Sequence, residues 1–312
     1  MDLEVVHHTS YDYAAPVSLA HHLAHLQPLH DASQQVLAHA LDIVPAPDRF
    51  DDSLDVFGNA QRHFSLARPH QRLGVRAASR VRLVPRFADL EPAASPPWEA
   101  LAARLRYVAR APFEAAVEFA LPSPYVPRLR ELRAYAAPSF TPGRPMAEAA
   151  IDLMKRLHAD FVYQSRSTDV DTPLQQVLAQ RRGVCQDFAH LMAGGLRMLG
   201  LPARYVSGYL LTEPAEVGTT LLGADASHAW VQVWCPGTPG VPDQGSGAGW
   251  LDLDPTNCLV PGAGHVRLAT GRDFGDVTPL RGVIRGSGHH TLNVGVSTRV
   301  LHPPGSGGPV SC

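Results

Sequence analysis

Cysteine is scarce in this sequence: Cys185, Cys235, Cys258 and Cys312 are the four in 312 residues. So few thiols in so long a chain do not build a disulfide framework, and no pair has the CxxC spacing of a zinc ribbon. Charge of one sign is lacking too. A net charge of −2 gives no reason to expect nucleic acid or an anionic membrane surface as a partner. No apolar run approaches the roughly 20 residues that a membrane-spanning helix needs. The start, Met1-Asp2-Leu3-Glu4, has neither the basic nor the apolar stretch of a signal peptide, so a reduced, cytoplasmic location is expected. No internal repeat is present. Histidine, by contrast, is plentiful, with 16 residues. The pairs His7-His8, His21-His22 and His289-His290 do not suit a metal, because neighbours on a strand point to opposite faces. They are read as mostly solvated, and no metal or cofactor is expected.

A hydrophobic content of 45% and a charged content of 18% describe a globular chain. Its length exceeds one small core. Residues 1–85 carry short alternating runs such as "LEVVHHTSYDY", "QRHFSLA" and "LGVRAASRVRLV", separated by turn chemistry at Phe57-Gly58-Asn59 and Pro45-Ala46-Pro47-Asp48. They read as a small β-sandwich-like domain. Residues 86–145 read as a proline-rich connector. It holds one or two helices, the first with Trp98, Leu101, Leu105 and Val108 at helical spacing. Residues 146–302 are assigned to a mixed core, and 303–312, "PPGSGGPVSC", to a disordered tail.

Within the core, Ala150, Leu153, Met154 and Leu157 predict a helix over 146–163. Thr172 as N-cap and Pro173 at the first helical position predict another. A third helix is predicted over 184–199, where Phe188, Leu191, Met192, Gly195, Leu196 and Leu199 form a buried stripe. Strands follow at "ARYVSGYLL", "SHAWVQVWC" and "GWLDLDPT", and one more at "HHTLNVGVSTRV". Cys185 opens the third helix. Free backbone N–H groups and the helix dipole favour an anion there, and the thiolate is the nucleophilic form of cysteine. Gly183 is read as letting a backbone or a substrate approach. The alternative for Cys185 is a small buried apolar residue.

The downstream strands offer partners. A hairpin closed by the Pro236–Gly249 loop, in the register His228 opposite Asp254, puts His228, Trp230, Gln232, Trp250, Asp252 and Asp254 on one face. Ala229, Val231, Val233, Leu251 and Leu253 then form an apolar opposite face. A cysteine, a histidine and an acid that orients the histidine are the parts of a nucleophilic triad. Asp254 is favoured over Asp252, which lies one step further from His228. Gln186 is a candidate for holding the oxyanion or substrate, and Trp230 and Trp250 either wall the groove or belong to the core. Asp187 reads as a first-turn acid, and His190 as a packing or hydrogen-bonded histidine.

The strings "RRGVCQDFAHL", "LGLPARYVSGYL", "DASHAWVQV", "GWLDLDPTN" and "GRDFGDVTPLRGVIRG" closely resemble the bacterial branch of the transglutaminase-like superfamily. "DVFGNAQRHFSL" resembles the β domain that precedes its core. The resemblance implies an α+β, papain-related transglutaminase-like core, a nucleophile helix packed on an antiparallel sheet. It also implies Cys185 as nucleophile, His228 as base and acid, and Asp254 as orienting acid. The implied partner is a peptide or protein amide. The implied chemistry is acyl transfer through a thioester, resolved by water in a hydrolase or by an amine in a transglutaminase. Hydrolysis is favoured, because no dedicated amine site is evident. A binding module that keeps the fold without the chemistry is the alternative.

Overall fold

The computed structural model describes residues 1–110, 112–165, 167–211, 227–245, 247–286 and 288–301. The expected tail, with Cys312, lies outside the described residues. Six strands come first: β1 (Asp2–Val17), β2 (Leu19–Ala24), β3 (Gln34–Val44), β4 (Arg49–Leu54), β5 (Ala60–Leu66) and β6 (His70–Leu83). The connector contributes α1 (Trp98–Arg104) and α2 (Arg130–Ala136), and α3 (Met146–Asp160) follows. Helix α1 stops short of Val108, which is exposed and has no core to meet.

Helix α3 ends three residues earlier than its periodicity suggests. Phe161 turns extended, and β7 (Val162–Tyr163) pairs in parallel with β8 (Arg182–Gly183). Between them lies α4 (Leu174–Gln180), preceded by Pro173 at its N-cap and closed by Arg181 in the left-handed region at φ 55°. The short β7–β8 ladder ties the end of α3 to the residues just before α5 (Cys185–Arg197). The start of α5 is thereby held by backbone bonds as well as packing.

The core sheet has the order β11-β10-β9-β12, with β9 (Ala203–Leu210), β10 (His228–Trp234), β11 (Trp250–Leu253) and β12 (His265–Gly271), all antiparallel. Ala229, Val231, Val233, Leu251 and Leu253 share one hydrophobic cluster with Phe188, Leu191, Met192 and Leu196 of α5. The helix is buried on all sides from Asp187 to Arg197, and so carries more than the single stripe expected. Its outer face packs under α2, and the glycines make that approach possible. A Cβ at Gly194 would lie 2.6 Å from Leu132 Cδ1, and one at Gly195 would lie 3.1 Å from Ala136 Cβ.

After β12 come α6 (Phe274–Val277), β13 (Leu280–Arg285) and β14 (His290–Val300). The last two strands differ from the division drawn above. β14 pairs with β1 and β13 with β2, completing two N-terminal sheets of order β14-β1-β6-β3 and β13-β2-β5-β4. The alternating pattern "TLNVGVST" foretold the strand, but not its distant partner.

The first of these sheets serves two cores with one face. Leu73, Val75 and Ala77 of β6 pack with Tyr13 and Val17 of β1 against the second sheet. Further along the same strands, Leu3, Val5, Val81 and Leu83 pack on Tyr209, Leu211, Val266 and Leu268 of the core sheet. Only long strands can do this, and the 16 residues of β1 span roughly 50 Å at about 3.3 Å per residue. His7 sits between the two cores. It is buried, contrary to the solvated reading, with Nδ1 bonded to Tyr209 Oη at 3.0 Å and Nε2 to Thr9 Oγ1 at 2.9 Å. Burial, with a smaller effect of His8, pulls its pKa down to about 4. His22 is likewise buried. Their neighbours His8 and His21 are exposed, as alternation requires.

Candidate active site

Val184 is extended and caps α5. Asp187, at the third helical position, turns back so that Oδ2 accepts the Val184 N–H at 2.8 Å and the Thr168 hydroxyl at 2.6 Å. Burial pushes the Asp187 carboxyl up from its usual range, against the pull of these two donors. This contact explains Gly183. A Cβ there would lie 2.6 Å from Asp187 Oδ2, so the space is filled by the cap and not by an approaching substrate. With the Val184 N–H spent, the backbone N–H of Cys185 is a first-turn donor that helix geometry leaves without an intrahelical acceptor. Cys185 itself is half-buried.

The strand pairing places His228 and Asp254 differently from the expected register. Val231 faces Leu253, Gln232 faces Asp252, Val233 faces Leu251 and Trp234 faces Trp250. That is a slip of two residues, which preserves every face assignment because side chains alternate with period two. Asp254 falls just past β11, where it bridges to Leu259. From there its Oδ2 lies 2.9 Å from His228 Nε2, with both side chains fully buried. Helix α5 lies on the apolar face of the sheet. Cys185 opens that helix, and His228 opens β10.

The Asp254 carboxylate is saturated with donors. Oδ1 accepts the backbone N–H groups of Thr256 at 2.9 Å and Asn257 at 3.1 Å. Oδ2 accepts His228, His265 Nε2 at 3.0 Å and Asn257 Nδ2 at 2.8 Å. Burial opposes its charge, yet His228 and His265 outweigh that and hold the carboxyl far below the usual carboxylate range. For His228, burial disfavours the cation, but Asp254 and then Cys185 push its pKa up to about 10. Nε2 is committed to Asp254, and the buried Nδ1 has no hydrogen-bond partner among the described residues. His228, Asp254 and His265 are also the one group with metal-ligand chemistry found among the described residues. Their facing lone pairs and protons are already spent on one another, which disfavours a metal reading.

The other candidates are distributed as follows. Asp252 is held by an ion pair with Arg86 and is not the acid at His228. Gln186 donates Nε2 to the Val170 carbonyl at 3.1 Å, and so is tied to the loop before α4. Trp230 is fully buried and stacks on His228 at 6.1 Å between ring centroids. Trp250 lies at the loop end of the hairpin, packed edge-on to Phe119 at 5.5 Å and under the Arg204 guanidinium at 3.9 Å. Neither tryptophan walls an open groove. His190 is the packing histidine expected. It stacks on Tyr125 and meets Tyr205 in a tilted contact, its Nε2 accepts the Phe274 N–H at 3.2 Å, and burial, with Arg197 nearby, pulls its pKa down to about 3.

Three participants were not foreseen. Asn257 was legible in principle, since an Asp-Pro-Thr-Asn run signals a turn closed by the aspartate side chain. His265 carries no spacing cue, because it reaches Asp254 only through the sheet. Gly208, on β9 opposite both His228 and Arg267, makes room for Trp230. A Cβ there would lie 2.4 Å from the indole ring and 2.2 Å from the Val266 carbonyl oxygen. A cavity of about 410 Å³ opens beside the first turns of α5, between Pro124–Leu129 and Asp171–Gln175, with Asp187 and His190 in its wall.

Two family models match this architecture: the bacterial transglutaminase-like N-terminal region over residues 3–82 and the transglutaminase-like superfamily over 133–255. The chain belongs to the transglutaminase-like superfamily, with the α+β, papain-like core of that class. It is 40% identical over 282 residues to an uncharacterized protein of Mycobacterium tuberculosis, covering 90% of this chain and 86% of that protein. It is 32% identical over 297 residues to an uncharacterized protein of Mycobacterium leprae, covering 94% and 96%. A protein-glutamine gamma-glutamyltransferase of Pseudomonas aeruginosa is 35% identical over 121 residues, which is 38% of this chain and 17% of that protein. Among solved structures, a candidate cysteine protease from Cytophaga hutchinsonii has the same fold, with a TM-score of 0.71 at 22% identity, covering 97% of this chain and 91% of that one. No helix among the described residues is long and apolar enough to cross a membrane.

Proposed function

We propose that the protein is a thiol enzyme that transfers the acyl group of a peptide or protein amide, with water as the favoured acceptor. The observation that carries this reading is the buried His228–Asp254 pair at 2.9 Å, with Cys185 as the other group that raises the His228 pKa. In the reaction, the Cys185 thiol passes its proton to His228 Nδ1, and the sulfur forms a bond to the amide carbon as the carbonyl π pair moves to oxygen. The oxyanion meets the free N–H at the start of α5. The C–N bond then breaks, and His228 gives the leaving amine a proton from Nδ1. Water, deprotonated by the same atom, attacks the thioester and releases the acid and the thiol. Asp254 keeps the ring in the tautomer with Nδ1 facing the sulfur and stabilises its cation. No cofactor enters any step.

Transfer to an amine is the second reading, favoured by the Pseudomonas aeruginosa relative's name. A screen of peptides and glutamine amides that follows ammonia release and amine incorporation together separates the two, with Cys185→Ala as control. The thiol chemistry is tested directly by iodoacetamide labelling near neutral pH. Cys185 is expected to react fastest among the four cysteines, and His228→Ala to slow it. Labelling of Cys185 no faster than that of Cys312 removes the activated thiolate from the reading.

A further inference from the structure

Asp254 and His265 approach each other from opposite edges of the core sheet, since the strand order is β11-β10-β9-β12. Asp254 lies just past β11, in the turn that bridges to Leu259, and His265 opens β12, so the two meet at the ends of their strands. His265 is buried and lies edge-on to the Trp230 ring at 5.2 Å between centroids. It places Nε2 3.0 Å from Asp254 Oδ2, the oxygen that also bonds His228. Because Asp254 is an anion, both imidazoles donate, and the Asn257 amide donates a third proton to the same atom. Oδ2 is therefore fixed from three directions: β10, β12 and the turn after β11.

The strand that carries His265 is itself held from outside. β12 is an edge strand, and its free backbone groups are met by two buried side-chain amides of the N-terminal region, Gln34 at the start of β3 and Asn59 in the turn before β5. Gln34 Oε1 accepts the Arg267 N–H and its Nε2 donates to the Arg267 carbonyl, both at 2.7 Å. Asn59 does the same at Thr270, with both bonds at 2.8 Å. Each amide stands in for a neighbouring strand. The placement of His265 is thus set by the N-terminal region and delivered to the carboxylate.

We propose that His265 is a positioning residue for the Cys185 chemistry, acting through its Nε2–H bond to Asp254, which holds that carboxylate anionic and aimed at His228. The proposal rests on the reading of Cys185, His228 and Asp254 given above. Without the His265 proton, Oδ2 keeps two donors and can rotate away from the imidazole it orients.

The test is the second-order rate of Cys185 alkylation by iodoacetamide near neutral pH, measured on the full chain beside the melting temperature. His265→Phe keeps a flat ring against Trp230 and removes the donor. It is expected to slow labelling roughly tenfold, the scale on which partners of reacting side chains act. His265→Gln returns an amide donor and is expected to recover the rate to within about threefold. A purely structural role would not distinguish a ring without a proton from an amide with one in this order. If His228→Ala slows labelling while His265→Phe leaves it unchanged, the positioning role is wrong and the triad stands. If His228→Ala also leaves it unchanged, the triad reading itself is wrong, and this inference falls with it. Should His265→Phe not fold, His265→Asn replaces it, since its shorter amide falls short of Oδ2. Equal rates for the Asn and Gln variants then overturn the proposal.

Discussion

His228 is the residue on which the electrostatics of the site converge. Its pKa of about 10 arises because Asp254 and Cys185 together overcome burial. Replacing Cys185 by alanine removes one of the groups that favour the cation, so the pKa should fall while Asp254 still holds it above the ordinary 6.5. Titration of the imidazole by NMR in both proteins checks this, and an unchanged pKa would separate Cys185 from the pair. The same pairing sets a pH window for stability. His228 has a raised pKa, so its contribution is full below about 6.5 and is lost as pH rises towards 10. Asp254 has a depressed pKa, so its contribution is present above about 3.8 and is lost as pH falls below that. The melting-temperature gap between the wild type and Asp254→Asn should therefore be widest between about pH 4 and 6.5 and narrow on both sides.

At the scale of elements, the site depends on how closely α5 and β9 let their neighbours approach. Gly194→Ala presses a methyl on the buried tip of Leu132, a side-chain atom with limited freedom to move. A loss of about 1–2 kcal/mol is expected, with labelling of Cys185 little changed. Gly208→Ala is a different case, because the methyl meets a backbone carbonyl as well as the Trp230 ring. It should cost about 3 kcal/mol. It should also slow Cys185 labelling, since the displaced indole is the one stacked on His228. Urea unfolding with parallel alkylation measures both quantities, and equal effects of the two substitutions would argue against this account. Periodicity alone located α3, α5 and the strands of the hairpin, because burial on one face leaves its period in the residues. It overran helix ends, as at Tyr163, because β7 pairs with a segment 20 residues away and a local pattern does not record that. It also missed the two-residue slip of the hairpin. That slip changes which residues face each other but leaves the apolar and polar faces as they were, so face patterning cannot detect it.

Across the whole molecule, the N-terminal strands and the core are one construction. Sheet β14-β1-β6-β3 covers the second N-terminal sheet with one end and the core sheet with the other, and Gln34 and Asn59 complete the edge of β12. Gln34→Leu leaves the buried Arg267 N–H and the Leu29 and Arg267 carbonyls without this partner. A loss of about 2–3 kcal/mol is expected. Unfolding should remain a single transition, because the two cores share strands. A separate early transition of the N-terminal strands in calorimetry would show that they are an independent unit.

The sequence by itself determined the family resemblance, the helix that begins at Cys185 and the strands that carry His228 and Asp254. These are written in local spacing, composition and turn chemistry. Tertiary structure decided the hairpin register, which residue holds Asp252, the return of β13 and β14 to the N-terminal sheets, and the convergence of His228, Asn257 and His265 on a single carboxylate oxygen. Those outcomes depend on contacts between residues far apart in the chain. Their energies arise only once a backbone brings the groups within hydrogen-bond distance and excludes water from between them.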